Sequence, residues 1–467
     1  MGSLRSVAVV VFLLALVAGC AKSEPPQATP TTTPADHSLV GDWTGVLPLP
    51  DQELPLGLSF TADGGTFTVP KQGIYDRPLA QLSTKPEDVQ FAVPGLPGAA
   101  NFHGTYDRGN DTITGTFSQG GHNWPLTLKR GEVPAPPRPQ EPKPPWPYRS
   151  EDVSYRSGAL TVAGTLTVPD APGPYPAVVL ITGSGPQDRN EELLGHKPFL
   201  LLADTLTKAG YAVLRTDDRG VGGTGGKLAH ASYTELAGDV TAGLDYLRSR
   251  ADIDRNRIGL LGHSEGGYIA PLVASRPDSG VAFVIMMAGP AAPGSDVLVE
   301  QNWQILAAQQ ASPEKKRKQI EFASTVATLA RSGNPEQVRQ FLLQHNASVP
   351  TDEQMSPEAI DFYTSPYFAA FLGYDPAPAL RALRMPVLAF YGAKDLQVPP
   401  EQSEPLARQA LAENPDADVH VFDGLNHLMQ PAGTGLLEEY AAIETTIAPE
   451  VLTYITDWLT KRVPPAR

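Results

Sequence analysis

The stretch VPAPPRPQEPKPPWPY, Val133 to Tyr148, can enter neither the interior of a helix nor that of a sheet. Proline fixes φ and lacks a backbone N–H, so a run this rich in it is extended and semi-rigid. Whatever this chain folds into must be built on two sides of that stretch, and 132–148 reads as a linker. On its N-terminal side, residues 39–131 hold short alternating segments such as GDWTGVLPL and NFHGTYDRGNDTITGTFSQGG, punctuated by ADGG and RGND. That pattern predicts hairpins of a small antiparallel sandwich or barrel. On the other side, residues 149–467 alternate strands with helices. GALTVAGTLTVP reads as a strand pair, and PAVVLITG is a continuous apolar run, as a central strand covered on both faces requires. KPFLLLADTLTKAG and YTELAGDVTAGLDYLRSR have helical spacing. YAVLRTDD, RIGLLGHS, VAFVIMMAG, PVLAFYG and DVHVFDG supply further strands. The fold class expected is therefore α/β, with a mostly parallel sheet preceded by a small all-β domain. About 291–384 is too long for a bare loop between strands and reads as a helical cap over the carboxyl edge of the sheet. Its aromatic end, DFYTSPYFAAFLGYDP, suits either a pocket lining or the cap's own core.

The first 38 residues read as a targeting segment and a tether. Arg5 precedes the apolar run VAVVVFLLALVAG, which ends at Cys20 and is short for a membrane span. It reads as a signal peptide over 1–20, and LVAGC resembles a bacterial lipobox in which Cys20 is lipidated. Residues 21–38 are a Pro/Thr-rich tether. The expectation is a protein of the cell envelope, lipid-anchored in a membrane through Cys20, at the outer membrane if the cell is Gram-negative. Cys20 is also the single cysteine of the chain. This leaves no disulfide framework, no cysteine nucleophile and no cysteine-based zinc site for the domains that follow. A formal charge of -15 without a basic stripe argues against a nucleic-acid partner.

The chemistry is concentrated in GHSEG, with Gly262, Ser264 and Gly266 in the pattern G-x-S-x-G. An alcohol is a poor nucleophile near neutrality unless a base is beside it and a third group orients that base. The pattern is weak alone, but a strand precedes it and a helix follows. It then calls for an acid and a histidine, in that order, after later strands. Asp395 follows PVLAFYG, and His427 follows DVHVFDG. Asp423 is the alternative acid, being close to the histidine in sequence. The oxyanion formed during attack needs backbone donors. The amide of Glu265 is one, and GSGPQDRN offers Ser184 or Gly185 as the other. Asp188, Arg189, Asp218 and Arg219 read as braces of neighbouring loops, and His196 as either pocket wall or loop anchor.

From roughly Tyr148 onward the chain resembles α/β-hydrolases of the bacterial esterase group related to prolyl-oligopeptidase-like serine hydrolases. The strings that carry this are GTLTVP, TGSGPQDRNE, GHKPF, LRTDDRGVGGTGG, GHSEGG, GAKDLQVP, GLNHLMQ and TIAPEVL. The resemblance implies a serine carboxylesterase that needs no cofactor or metal, with Ser264, Asp395 and His427 as its triad. Its partner would be a small ester, with a short to medium acyl chain. A peptidase or an acyltransferase could use the same triad. From a different class, a non-catalytic surface-anchored binding protein remains as an alternative.

Overall fold

The computed structural model describes residues 39–465 apart from 50–52, 73, 97, 134–135 and 351–353. The expectations for the signal peptide, Cys20 and the tether lie outside the described residues. Two compact units are present. Of the described residues, 39–137 together with 437–444 form one, and 138–436 together with 445–465 form the other.

The first unit is an antiparallel sheet of nine strands: β1 (Gly41–Pro48), β2 (Glu53–Phe60), β3 (Gly65–Val69), β4 (Ile74–Pro78), β5 (Ala80–Lys85), β6 (Asp88–Val93), β7 (Ala100–Asp107), β8 (Thr112–Gln119) and β9 (His122–Arg130). The order is β4-β3-β2-β1-β9-β8-β7-β6-β5. The two edge strands, β4 and β5, are joined by Leu79 alone, so the sheet must curl on itself into a barrel-like form. The turn between β8 and β9 is Gly120-Gly121, both at positive φ, as a two-residue hairpin of matching twist requires. Inward alternation along β7 buries Ala100, Phe102 and Tyr106, and these join Trp43, Phe60, Phe67, Phe91 and Phe117 in one core.

The second unit holds a sheet of eight strands: β10 (Tyr148–Ser157), β11 (Leu160–Pro169), β12 (Tyr175–Ile181), β13 (Ala212–Thr216), β14 (Ile253–His263), β15 (Val284–Met287), β16 (Val387–Gly392) and β17 (Ala417–Phe422). Its order is β10-β11-β13-β12-β14-β15-β16-β17. β11 runs antiparallel to β10 and β13, and the remaining pairs are parallel. GALTVAGTLTVP is thus not a strand pair. It supplies the single strand β11, whose partner is the polar, alternating YRSEDVSYRS of β10.

Helices α1 (Pro198–Lys208), α2 (Tyr233–Ser249) and α3 (Gly266–Ala274) alternate with the early strands. The segment after β15 is helical, as α4 (Gly294–Ala308), α5 (Pro313–Arg331), α6 (Pro335–Ser348), α7 (Pro357–Tyr363), α8 (Pro366–Gly373) and α9 (Ala377–Ala382). Three more follow: α10 (Pro400–Ala410), α11 (Leu437–Tyr440), which belongs to the first unit, and α12 (Pro449–Arg462). Apolar residues of α1 and α12 form one core with the sheet, and those of α2, α3, α10 and the inserted helices form another. This is the α/β-hydrolase architecture, a mixed and mostly parallel sheet with helices on both faces. Among the described residues no helix is long and apolar enough to cross a membrane.

The proline-rich stretch joins the second unit from Arg138 on. Arg138 donates to the carbonyl of Leu194, the Gln140 side chain pairs with the backbone of Thr446 and Ile447, and Glu141 pairs with Lys197.

Candidate active site

Ser264 sits between the end of β14 and the start of α3, with φ +51°. That left-handed conformation costs a non-glycine residue about 1–3 kcal/mol, and it turns the side chain out of a sharp bend. The bend explains its glycines. A Cβ on Gly262 would lie 2.0 Å from the Gly266 carbonyl oxygen, and one on Gly266 would lie 2.2 Å from that of Ile181. Neither position can carry a side chain.

His427 lies in the turn after β17, and Asp395 in the loop after β16. The Nδ1–H of His427 donates to Asp395 Oδ2 at 2.8 Å. Both residues are buried. The other carboxylate oxygen of Asp395 accepts the amides of Gln397 and Val398 at 2.8 and 2.9 Å, which fixes its orientation. Asp423 is exposed. Asp395 is therefore the acid that meets the histidine. His420 stays within β17 and stacks on Tyr454.

The loop after β12 passes directly over the serine: a Cβ on Gly183 would lie 3.1 Å from that of Ser264. Two of its amides are already engaged. Gly183 N–H donates to Glu191 Oε1 at 2.6 Å, and Gly185 N–H donates to the Tyr367 hydroxyl at 3.0 Å. The Ser184 carbonyl accepts from the Gln187 side chain at 3.1 Å. Among the described residues, the amides of Ser184 and Glu265 have no protein acceptor. Of the two sequence candidates in this loop, Ser184 has the free donor and Gly185 does not.

The side chains of Glu191, His263, Glu265, Tyr233 and Tyr367, grouped around the serine, carried no signal in the spacing. His263 is buried, with Nδ1 2.9 Å from Glu191 Oε1 and Nε2 3.1 Å from the His427 carbonyl oxygen. Both ring nitrogens face acceptors. Burial works against its charged form, but the Glu191 carboxylate outweighs that and holds its pKa above the ordinary histidine value. The chain from Gly183 through Glu191 and His263 thereby ties the oxyanion loop to the backbone of His427. The Glu265 side chain points away into a buried site, where it accepts from the hydroxyls of Tyr233 on α2 and Tyr367 on α8. Burial pushes its pKa up to about 7, and the two tyrosines pull against that.

The charged residues of the neighbouring loops act as braces. Arg189 grips Asp217 through two parallel hydrogen bonds, at 3.0 and 2.7 Å. Arg219 pairs with Asp239 and Glu235. Asp218 accepts from Thr182 and the Gln187 amide, and Asp188 accepts from Asn190 and the Glu192 amide. His196 is fully buried against Thr446 and anchors its loop. The narrow cleft at the serine is lined by Pro290, Val297, Phe371, Gln397 and Val398 besides Ser264 and Glu265. The aromatic end of the helical insertion divides its labour: Phe371 faces this cleft, while Phe368 packs against Tyr363 and Phe362.

A strained serine at a strand-to-helix bend, followed in chain order by a paired acid and histidine, is the nucleophile-turn arrangement of the α/β-hydrolase fold. The family described as serine aminopeptidase, S33, matches residues 197–430, and the chain belongs to it. Esterase EstD of Thermotoga maritima is 29% identical over 267 residues, which cover 57% of this chain and 57% of EstD. The match thus spans little more than half of that relative. Among solved structures, the Pyrococcus furiosus esterase Pf2001 has a TM-score of 0.43 at 16% identity, covering 70% of this chain and 97% of that one. Est1E from Butyrivibrio proteoclasticus, with ferulic acid bound, has a TM-score of 0.42 at 16% identity, covering 67% of this chain and 99% of that one.

Proposed function

We propose that this protein is a serine carboxylesterase acting on small esters with short to medium acyl chains. The observation that carries the reading is the buried Asp395–His427 pair in the same site as a serine whose backbone is forced to positive φ. In the mechanism, the Ser264 hydroxyl attacks the ester carbonyl carbon while His427 Nε2 takes its proton. The oxyanion accepts the amides of Glu265 and Ser184. Collapse breaks the bond to the alcohol oxygen, which leaves with the proton from His427. Water then attacks the acyl-enzyme and gives a proton to His427, which passes it to Ser264 Oγ as the bond to the acyl carbon breaks, releasing the acid and the free enzyme. Asp395 holds the imidazole with Nδ1 protonated throughout, so that Nε2 can accept.

The family's name raises an aminopeptidase as the second reading. A peptide's ammonium needs a free carboxylate near the serine. Glu265 is engaged by two tyrosines and Asp218 by Thr182 and Gln187, while Glu191, whose Oε2 has no partner, is committed through Oε1 to the Gly183 amide and His263. The apolar walls Pro290, Val297 and Phe371 favour a short acyl group instead. Hydrolysis of p-nitrophenyl esters from acetate to palmitate, beside aminoacyl p-nitroanilides, tests the choice. The expected result is fastest cleavage of the short esters, lost in Ser264→Ala. Preferential cleavage of the anilides would transfer the assignment to the peptidase.

The string LVAGC supports lipidation at Cys20 and anchoring in the cell envelope. Metabolic labelling with a radioactive fatty acid should mark the wild type and not Cys20→Ser. Equal labelling of both would refute the anchor.

A further inference from the structure

We propose that Tyr367, carried by the helical insertion, is a positioning residue that holds the oxyanion loop in its catalytic shape by bridging the Gly185 amide to the side chain of Glu265. The proposal rests on the esterase reading above and adds to it a residue outside the triad and the oxyanion donors.

The hydroxyl of Tyr367 has one hydrogen and accepting lone pairs, and both are used. It accepts the Gly185 N–H at 3.0 Å and donates to Glu265 Oε2. Gly185 follows Ser184, whose amide is the free donor of the loop. The peptide plane between them is gripped on both sides, by Gln187 on the Ser184 carbonyl and by Tyr367 on the Gly185 amide. The plane before Ser184 is adjacent to Gly183, whose own amide is held by Glu191. At the other end of the bridge, Glu265 is the residue whose backbone supplies the second oxyanion donor. One tyrosine therefore ties both halves of the oxyanion hole together. It also sits on α8, so the helical insertion must be docked for the hole to be preorganised.

Tyr367 is 2% exposed, and its ring packs on Phe362. The groups facing the Glu265 carboxyl are Tyr233 from α2, Tyr367 from α8, Tyr268 from α3 and Asp218 from the loop after β13, the last held above the usual carboxylate range by its burial. No cation faces it among the described residues. A charge on Glu265 opposes a charge on the adjacent oxyanion, so kcat should fall as this carboxyl ionises, near pH 7. The tyrosine hydroxyls stabilise the ionised form, and removing either one moves that falling limb to higher pH.

The test compares full-length wild type, Tyr367→Phe and Tyr233→Phe in steady-state hydrolysis of p-nitrophenyl butyrate from pH 5 to 9. All three are also labelled with a fluorophosphonate. Removal of an oxyanion donor outright costs about 100- to 1000-fold in kcat, so its misplacement in Tyr367→Phe should cost about 10- to 100-fold. KM should stay within about twofold, and the alkaline limb should move up. Tyr233→Phe leaves Gly185 untouched, so it should move the limb while keeping kcat at its optimum within about threefold. The proposal is overturned if folded Tyr367→Phe keeps wild-type kcat and limb, or if Tyr233→Phe loses as much kcat. Should Tyr367→Phe not fold, a fluorinated tyrosine at 367, a stronger donor, must move the limb to lower pH; an unmoved limb overturns it equally. A folded wild type that neither hydrolyses esters nor takes the label would instead bring down the esterase reading itself.

Discussion

Replacing Asp395 by Asn changes one atom and should abolish most of the activity. The reason lies in which oxygen does what. Oδ1 accepts the amides of Gln397 and Val398, and no amide nitrogen can take that role. The asparagine must therefore keep its oxygen there and turn its NH2 toward His427, where Oδ2 now accepts at 2.8 Å. Facing a donor, Nδ1 of His427 has to become the acceptor, and the proton moves to Nε2, the nitrogen that must receive the Ser264 proton. The base is present but in the wrong tautomer. In another serine triad the same exchange lowers kcat about 10,000-fold, a loss of about 5 kcal/mol of transition-state stabilisation. Steady-state hydrolysis of p-nitrophenyl butyrate should show that loss in kcat with KM nearly unchanged, and a melting temperature close to wild type. The control is Asp423→Asn, which alters the exposed alternative acid and should leave kcat within about twofold. A loss below about tenfold in folded Asp395→Asn, or a larger loss in Asp423→Asn, would refute the reasoning.

Gly262→Ala should yield insoluble or inactive protein, checked by expression and solubility, because its Cβ has only 2.0 Å to the Gly266 carbonyl oxygen. Phe371→Ala opens the cleft beside Ser264 and should raise the octanoate-to-butyrate ratio of kcat/KM roughly tenfold, read from the p-nitrophenyl series. Glu265 releases its proton near 4.5 in the unfolded chain but near 7 in the fold, so stability falls as pH rises through that window and is level above it. Denaturant melts at pH 4.5 and 8 should differ by about 3 kcal/mol more in wild type than in Glu265→Gln. Trp43→Ala removes a fully buried side chain whose indole N–H donates to the Leu39 carbonyl, and should destabilise the first unit by about 3–5 kcal/mol in calorimetry without changing ester turnover.

The order Ser264, Asp395, His427 was legible because each residue comes shortly after a segment of strand character, fully buried in β16 but mostly half-buried in β17. The choice between Asp395 and Asp423 turned on exposure, and that between Ser184 and Gly185 on a hydroxyl brought in from α8. Neither is a local property of the chain. Glu191 and His263 meet across 72 residues of sequence, and Tyr367 and Glu265 across 102. No periodicity records such meetings. β10 escaped because an edge strand exposed on one face has no apolar run, only an alternation of polar residues. The sheet of the first unit was legible as hairpins. Its curling was not, since that follows from the strand order and the single residue joining β4 to β5.

The central claim is that Ser264 is the nucleophile, and covalent labelling reads it without assuming a substrate. Folded wild type treated with a fluorophosphonate should gain the mass of one adduct, and peptide mapping should locate it on Ser264. Labelling should vanish in Ser264→Ala and slow greatly in His427→Ala. An adduct on another residue, or a folded wild type that takes no label, would contradict the account.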